Sequence, residues 1–306
     1  MLVETIAPGL VCLGTPIANL YFVGTPPAPW AIVDSGIPGY AAQIGATAER
    51  LFGQMSRPVA ILLTHGHFDH SGSALELARM WDVPIYAHAL ERPFLTGKSM
   101  YPPKDPTVGG AMAFLCRFFP STPPYLAERL RDLPENCEVP GLPGWRWIHT
   151  PGHAPGHVAF FEEQGSRLLA GDACTTMDLD SPIGMLSQHR KISRPPAPFT
   201  FDWDQAHDSV RRLAELRPAL IACGHGKPMS GGQVADQLSA LAANFPRPSH
   251  GRYAGEPART DQGGIASLPP SVPDPLPRIA AVTVVSALAV AVAGAVALSR
   301  RNAGRS

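Results

Sequence analysis

The residues best suited to chemistry lie at positions 64–70, which read Thr-His-Gly-His-Phe-Asp-His and follow five consecutive apolar residues. The apolar run predicts a buried strand that ends in this polar loop. Because side chains at i and i+2 of extended backbone point the same way, His65 and His67 can bind one cation together. Asp69 and His70 lie past the turn and are predicted to face a second cation. Imidazole and carboxylate ligands suit zinc, iron or manganese, so the loop predicts a metal site.

Three further candidate ligands lie downstream: His153 in T-P-G-H-A-P-G-H, Asp172 in L-L-A-G-D-A and His225 in I-A-C-G-H-G. Each follows a short apolar stretch and has glycine beside it, which predicts a strand end where the backbone turns tightly. Taken singly, each also fits an ordinary loop or turn residue. Together with the first motif they complete a ligand set for two metal ions. The candidates are His65, His67, Asp69, His70, His153, Asp172 and His225.

The pattern H-x-H-x-D-H, followed by His, Asp and His, resembles the metallo-β-lactamase-fold hydrolase superfamily over residues 3–245. The resemblance implies an α/β fold, an αββα sandwich with the site at one edge of its two sheets. It also implies two divalent ions, zinc in the first place, with iron or manganese as alternatives. By position, the first ion is assigned His65, His67, His153 and Asp172, and the second Asp69, His70, Asp172 and His225.

Two cations sharing Asp172 are expected to hold a bridging water, lower its pKa and present hydroxide as the nucleophile. Asp69 is the predicted catalytic residue because it can both bind metal and orient that hydroxide. Asp34, in Val-Asp-Ser-Gly, matches an acid that lies near the metals in the family, so it is a candidate hydrogen-bond partner of a ligand imidazole. His157, four residues after His153, is a second candidate for that supporting role.

The bridging Asp172 resembles glyoxalase-II-type thioesterases and lactonases more than true β-lactamases. The sequence therefore predicts a dinuclear hydrolase of a thioester, lactone or related ester. The alternative is a mononuclear iron sulfur dioxygenase, which shares the early motif but uses fewer ligands. A third hypothesis is a membrane-bound binding protein without catalytic activity. The complete set of metal ligands argues against it. The expected substrate is a small molecule with an apolar or acyl part, and the sequence does not indicate an oligomeric state.

Composition agrees with a globular enzyme. The formal net charge of the 306 residues is zero and the pI is about 7.2, which argues against a nucleic-acid partner. The five cysteines are odd in number and lack C-x-x-C spacing, so no disulfide framework is predicted. The N-terminus has neither a basic start nor an apolar core, and no signal peptide is expected.

The catalytic domain is predicted over residues 1–245. Within it, residues 91–143 are rich in proline and aromatic side chains and form an insertion between the first metal loop and His153. The insertion either lies over the site as an apolar pocket wall or packs on the sheet. Helical spacing is found at Gly72–Trp81, Gly110–Phe119, Asp204–Leu216 and Gly232–Asn244.

The C-terminal region differs in composition from the domain. Residues 246–278 are rich in Pro, Gly and Ser and predict an extended linker. Residues 279–298 carry no charge, and about 30 Å of helix would span a bilayer. A transmembrane helix is therefore expected there, followed by a short basic tail at 299–306. The expected localisation is a membrane protein with a single-pass C-terminal anchor and a cytoplasmic catalytic domain.

Overall fold

The computed structural model describes residues 1–187, 189–274 and 276. The chain divides into two units, Met1–Pro270 and Ser271–Ser306. The strands and helices given below all belong to the first unit.

The first part of the chain forms a seven-stranded sheet in which strands neighbour each other in chain order. The strands are β1 (Leu2–Ala7), β2 (Leu10–Gly14), β3 (Asn19–Val23), β4 (Ala31–Val33), β5 (Ile61–Leu62), β6 (Ile85–Ala87) and β7 (Leu130–Asp132). Strands β1 to β4 pair antiparallel, whereas β4 to β7 pair in parallel. Because parallel strands end at the same edge, Asp34 after β4 lies beside Thr64 after β5, whose amide donates to Asp34 Oδ1 over 2.8 Å.

A second sheet of five strands has the order β12-β11-β10-β9-β8. The strands are β8 (Trp145–His149), β9 (Val158–Glu162), β10 (Arg167–Gly171), β11 (Leu220–Cys223) and β12 (Met229–Ser230). Strands β10 and β11 are parallel, so Asp172 and His225, which follow them, lie at one edge. His153 lies in the loop between β8 and β9. The Val158 amide donates to the Thr64 carbonyl over 2.8 Å, which joins the two sheets at this edge.

Helices connect the strands, and several of them pack on the outer faces of the two sheets. They are α1 (Ala41–Phe52), α2 (Phe68–Ser71), α3 (Ala74–Trp81), α4 (Arg92–Leu95), α5 (Ala111–Leu115), α6 (Pro182–Ser187), α7 (Trp203–Glu215) and α8 (Gln233–Ala243). Short 3₁₀ turns lie at Ala89–Glu91, Cys116–Phe118 and Ala197–Phe199. Asp202 caps α7, its side chain accepting from the Gln205 amide. The helix predicted over Gly72–Trp81 is confirmed as α3, which begins at Ala74. The separate short helix α2 precedes it and carries Asp69 and His70.

Successive side chains of each strand point to opposite faces of the sheet, and this alternation explains the layers. Ile61 packs with α1 and α3 on one face of the first sheet, whereas the next residue, Leu62, packs between the sheets with Phe160. Phe161, the neighbour of Phe160, packs on the opposite face with Val210 of α7. One buried apolar layer therefore lies between the first sheet and its helices, a second between the two sheets, and a third between the second sheet and its helices. This arrangement confirms the predicted αββα sandwich.

The predicted membrane anchor requires a correction. Within the described ranges, no helix is long and apolar enough to cross a membrane. The longest of these helices, α7, has 13 residues, about 20 Å of helix against a hydrocarbon core of about 30 Å. Segments 279–298 and 299–306 lie outside the described residues. We therefore correct the fold class to an αββα sandwich with no membrane-spanning helix among the described residues, and we assign neither a membrane partner nor a membrane localisation.

Part of the predicted linker packs on the domain. Up to Pro270 the chain belongs to the first unit and contains a hairpin of β13 (Arg259–Asp261) and β14 (Gly264–Ser267). Tyr253 is 3% exposed, and its hydroxyl donates to the Pro103 carbonyl over 2.7 Å. The proline and glycine content predicts an extended linker over residues 246–278. Up to Pro270 that prediction is wrong, because side chains such as Tyr253 attach the segment to the domain.

Candidate metal centre

The structure brings all seven predicted ligands to the shared edge of the two sheets. One cluster is formed by His65, His67 and His153. His65 Nε2 lies 2.9 Å from His67 Nδ1, and His67 Nδ1 lies 3.0 Å from His153 Nε2. Three imidazole nitrogens thus converge on a single point, which is an arrangement suited to one cation.

A second cluster is formed by Asp69, His70 and His225. His70 Nε2 lies 3.8 Å and His225 Nε2 lies 3.6 Å from Asp69 Oδ2. Ligand atoms on one tetrahedral zinc are about 3.4 Å apart, given bonds of about 2.1 Å. The second cluster therefore also has the dimensions of a metal site.

Asp172 lies between the two clusters. Its Oδ2 atom is 3.5 Å from His153 Nε2 in the first cluster. The same atom is 3.6 Å from His70 Nε2 and 3.1 Å from His225 Nε2 in the second. One carboxylate thus faces nitrogens of both clusters, as a bridging ligand must.

Buried polar atoms without partners support a metal-binding role. Among the described residues, His70 Nε2, His153 Nδ1 and Asp172 Oδ1 are buried and have no hydrogen-bond partner. An unpaired buried nitrogen or carboxylate oxygen is costly. A cation in the second cluster would satisfy His70 Nε2, whereas His153 faces the first cluster with Nε2 and not with the unpaired Nδ1. Two of these atoms, on His70 and Asp172, belong to the groups that face each other across the centre. The donor set therefore fits divalent metal ions.

Burial keeps the imidazoles of the first cluster neutral. It lowers the pKa of His65 and His153 well below the ordinary value and that of His67 to about 4. A neutral imidazole keeps the lone pair that a metal needs.

In the second cluster the carboxylates together outweigh burial in their effect on the pKa values of the histidines. Burial lowers the pKa of His70, but Asp172, Asp69 and Asp34 together raise it well above the ordinary value. Burial raises the pKa of Asp172, yet His225 and His70 bring it well below the usual range. Asp172 is therefore ionised. This concentration of negative charge favours a cation, which competes with the imidazole protons for the same nitrogens.

Hydrogen bonds fix which ring nitrogen faces the centre in three of the ligand histidines. Nδ1 of His70 donates to Asp34 Oδ2 over 2.8 Å, and Nδ1 of His225 donates to the Ile17 carbonyl over 2.7 Å. Thr64 Oγ1 lies 3.1 Å from His65 Nδ1 and donates to Asp34. In all three histidines Nε2 faces the centre, where a bound metal ion would displace any proton that it carries. Asp34 thus supports two ligand imidazoles at once.

His157 supports Asp172 and does not join either cluster. Its Nε2 accepts the backbone N–H of Asp172 over 2.8 Å, and its Nδ1 lies 2.8 Å from Thr150 Oγ1. Burial lowers the pKa of His157 to about 3, so the ring is neutral and can accept this bond. His157 therefore orients the loop that carries the bridging carboxylate.

The structure adds two polar residues that the sequence did not indicate. Glu91 is fully buried, and its carboxylate accepts from Gly66 N over 2.8 Å, Gly156 N over 2.7 Å and the Tyr101 hydroxyl. The Tyr101 ring lies 4.8 Å from the His67 ring. A helical Glu beside Arg and Pro gives no sequence signal of such a role, because its partners are distant backbone amides.

A cavity of about 610 Å³ opens onto both clusters. Its floor includes His67, Asp69 and His225. Its apolar walls include Phe68, Met112, Leu115, Leu179, Phe199 and Phe201. Residues of the 91–143 insertion, such as Met112, therefore face the cavity. Strand β7 also falls within that range and is an integral strand of the first sheet.

A family model described as Metallo-beta-lactamase superfamily matches residues 13–225. The chain belongs to this superfamily. It is 41% identical over 239 residues to the probable metallo-hydrolase YflN of Bacillus subtilis, covering 77% of this chain and 90% of that protein. It is 29% identical over 134 residues to hydroxyacylglutathione hydrolase GloC of Haemophilus influenzae, covering 42% and 57% respectively.

Solved structures of the superfamily share the fold. A metallo-beta-lactamase family protein from Thermus thermophilus has a TM-score of 0.52 at 26% identity, covering 78% of this chain and 80% of that one. A protein crystallised in a di-iron-bound form has a TM-score of 0.50 at 26% identity, covering 78% and 98%. The family match and the His/Asp clusters establish a metal-dependent hydrolase that uses divalent metal ions.

Proposed function

We propose that this metallo-hydrolase binds two metal ions and cleaves a thioester, a lactone or a related ester of a small molecule with an apolar acyl part. One ion is assigned to His65, His67 and His153, and the other to Asp69, His70 and His225, with Asp172 shared. Zinc is the proposed metal because imidazole and carboxylate ligands at these separations suit it.

The position of Asp172 is the observation that carries the proposal. Its Oδ2 lies within 3.6 Å of His153, His70 and His225 nitrogens that belong to different clusters. A carboxylate serving one ion would not need to face both groups. The placement therefore supports two ions rather than one.

The residues of the chain have separable tasks in the proposed reaction. When bound, a pair of divalent ions lowers the pKa of water and polarises the scissile carbonyl. Asp69 borders the cavity and can accept a hydrogen bond from the attacking water, which orients it toward the substrate. Asp34 and Thr64 hold ligand imidazoles in place and do not themselves touch the substrate.

The cavity walls support an apolar acyl group. Phe68, Phe119 and Phe199 form a connected aromatic wall, with ring separations of 5.9 and 6.4 Å. Phe199 also lies 5.7 Å from the His67 ring. An acyl chain lying on this wall would place its carbonyl over the metal clusters. The relative GloC is named as a hydrolase of hydroxyacylglutathione, which is a thioester, and this supports the same class of bond here.

The sulfur dioxygenase alternative is less well supported. A mononuclear enzyme uses one ion, so it has no need of a second group of buried ligands. Here the ligand atoms of Asp69, His70 and His225 lie within 4.8 Å of one another, as those of the first cluster do. Their convergence favours the dinuclear hydrolase.

The test combines metal analysis with substrate screening. Purified protein is analysed for zinc, iron and manganese per chain, because one similar structure was solved with di-iron. It is then assayed against acyl thioesters, lactones and simple esters of increasing chain length, with a β-lactam and a phosphodiester for comparison. We expect two ions per chain and chelator-sensitive hydrolysis of the ester-type substrates. One iron per chain with oxygen consumption on a persulfide would instead establish the dioxygenase.

A further inference from the structure

Glu91 connects two ligand loops that are far apart in sequence. Oε2 accepts from the amide of Gly66, which lies between His65 and His67. Oε1 accepts from the amide of Gly156, in the loop that carries His153. Both oxygens of one fully buried carboxylate are thus committed to the two loops that make the first metal cluster.

The glycines at both contacts reflect the close approach of this carboxylate and its tyrosine partner. A Cβ on Gly66 would lie 2.5 Å from the Tyr101 hydroxyl, and a Cβ on Gly156 would lie 2.8 Å from Glu91 Cγ. No side chain fits at either position unless Tyr101 or Glu91 moves. The hydroxyl of Tyr101 also donates to Glu91, which holds the carboxylate in its orientation.

We propose that Glu91 is a positioning residue that clamps the His65–His67 loop to the His153 loop and thereby sets the metal affinity of the first cluster. The inference rests on the ligand assignment of the proposed function. Residues that orient metal ligands typically change affinity by about 10- to 100-fold when they are replaced. Glu91 acts in this way through the backbone, since it accepts from the Gly66 amide between two ligands and from the Gly156 amide in the His153 loop.

The clamp requires a carboxylate and not merely a polar side chain. Both loop contacts are N–H donors, so both side-chain oxygens must accept. A glutamine has almost the same shape but carries one oxygen and one NH₂ group. In Glu91→Gln, one loop amide would face another donor and lose its bond to residue 91, and the loop would shift.

The experiment compares Glu91→Gln with Asp105→Asn in the full chain. Asp105 is 4% exposed and also accepts backbone amides, from Thr107 and Arg252, but it does not border the cavity or contact a ligand loop. Zn²⁺ and Co²⁺ affinities are measured by chelator competition, and thermal unfolding is followed in parallel. We expect Glu91→Gln to weaken metal binding at one of the two sites by about 10-fold or more. Asp105→Asn should lower the melting temperature and leave both affinities at the wild-type value.

The result that overturns the inference is wild-type metal affinity in Glu91→Gln together with a stability loss like that of Asp105→Asn. If Glu91→Gln does not fold, Tyr101→Phe decides, because it keeps the ring but removes the hydroxyl that donates to Glu91 and accepts from the Gly66 amide over 3.1 Å. Unchanged affinity in that variant overturns the inference, and weaker affinity supports it. A wild-type chain that binds no metal would overturn the proposed function as well, whereas normal binding in Glu91→Gln overturns this inference alone.

Discussion

Asp34 Oδ2 lies 2.8 Å from Nδ1 of His70, and both side chains are almost completely buried. The carboxylate accepts a hydrogen bond from the Nδ1–H group, so Nε2 faces the second cluster, 3.6 Å from Asp172 and 3.8 Å from Asp69. Asp34 also accepts from the amide and the hydroxyl of Thr64. It reaches these partners from a left-handed backbone conformation, with φ of 62°. One carboxylate at the end of β4 therefore fixes the direction of a ligand on the neighbouring strand end.

Replacing Asp34 with Asn should weaken metal binding at the second cluster. The amide nitrogen of Asn would donate toward His70 Nδ1, which selects the tautomer whose Nε2 carries a proton and cannot bind metal. We expect a 10- to 100-fold lower affinity and a loss of about one ion per chain after dialysis. Metal content by elemental analysis checks this, with Asp105→Asn as the control for loss of a buried carboxylate. Two retained ions in Asp34→Asn would show that the contact does not set the tautomer.

Replacing Asp69 with Asn should remove most of the turnover and preserve the fold. The change conserves volume but removes a charge that faces His70 and His225 and the group proposed to orient water. We expect kcat to fall by about 100-fold or more, the usual scale for a group that positions and accepts protons. The melting temperature should change little, since the side chain borders the open cavity. Near-normal kcat with full metal content would exclude a catalytic part for Asp69.

Local sequence was sufficient to predict which polar residues gather at the centre. The motif at 64–70 places its ligands at one strand end and in the helical turn after it. Their spacing in the sequence is therefore enough to predict that they lie close together. Asp172 and His225 could be added because each follows an apolar strand and sits beside glycine. The αββα layers were predicted from the resemblance to the superfamily. Their physical basis is that neighbouring side chains, such as Ile61 and Leu62, point to opposite faces of the sheet.

Sequence reasoning did not reveal Glu91, because its role depends on amides 25 and 65 residues away. Such contacts exist only after the two sheets have packed. The prediction of a linker over residues 246–278 is wrong up to Pro270 for a related reason. Its composition is that of a linker, but the side chain of Tyr253 and the backbone of Ala258 attach it to the domain. A few tertiary contacts outweigh composition here.

Replacing Phe119 with Ala should raise KM for substrates with long acyl chains and leave kcat nearly unchanged. Phe119 stacks near Phe68 and Phe199 in the cavity wall, so its ring would cover apolar chain but not the scissile bond. Losing this contact should cost about 1 to 2 kcal/mol of binding, or a 5- to 30-fold increase in KM. Phe118→Ala is the matched control, because the neighbouring ring is 74% exposed and does not border the cavity. Equal KM values for short and long acyl chains in the Phe119 variant would exclude this wall as the acyl site.

His88 should contribute to loss of stability in acid. Burial and the nearby His149 ring lower the pKa of His88 to about 4, against 6.5 for an unperturbed histidine. Above pH 6.5 the side chain is neutral in both states, so no stability is lost. As the pH falls from 6.5 to 4, the unfolded chain takes up a proton that the folded chain refuses, and stability falls.

The expected loss from His88 over this pH range is on the order of 1 to 2 kcal/mol, allowing for partial solvent exposure. His88→Asn keeps a side-chain acceptor for the Leu90 amide and removes the titration. Chemical unfolding of metal-free protein at pH 7 and pH 4.5 should therefore show a smaller pH dependence in His88→Asn than in the wild type. The exposed His250→Asn should retain the wild-type dependence, and an equal dependence in all three proteins would contradict the assignment.

Truncation should show that the domain extends to Pro270 and not to residue 245. A chain ending at Pro246 loses Tyr253, whose ring packs on Phe201 at 5.5 Å and whose hydroxyl bonds the insertion at Pro103. It also loses the Arg252 amide that Asp105 accepts, which leaves a buried carboxylate with fewer partners. Removing a buried aromatic side chain typically costs about 3 kcal/mol, so the melting temperature should fall by roughly 5 to 10 °C. A chain ending at Pro270 keeps every one of these contacts and should melt as the longer chain does. Calorimetry of the two truncated chains beside the full chain decides between these boundaries, since equal melting of all three would make residues 247–270 dispensable to the fold.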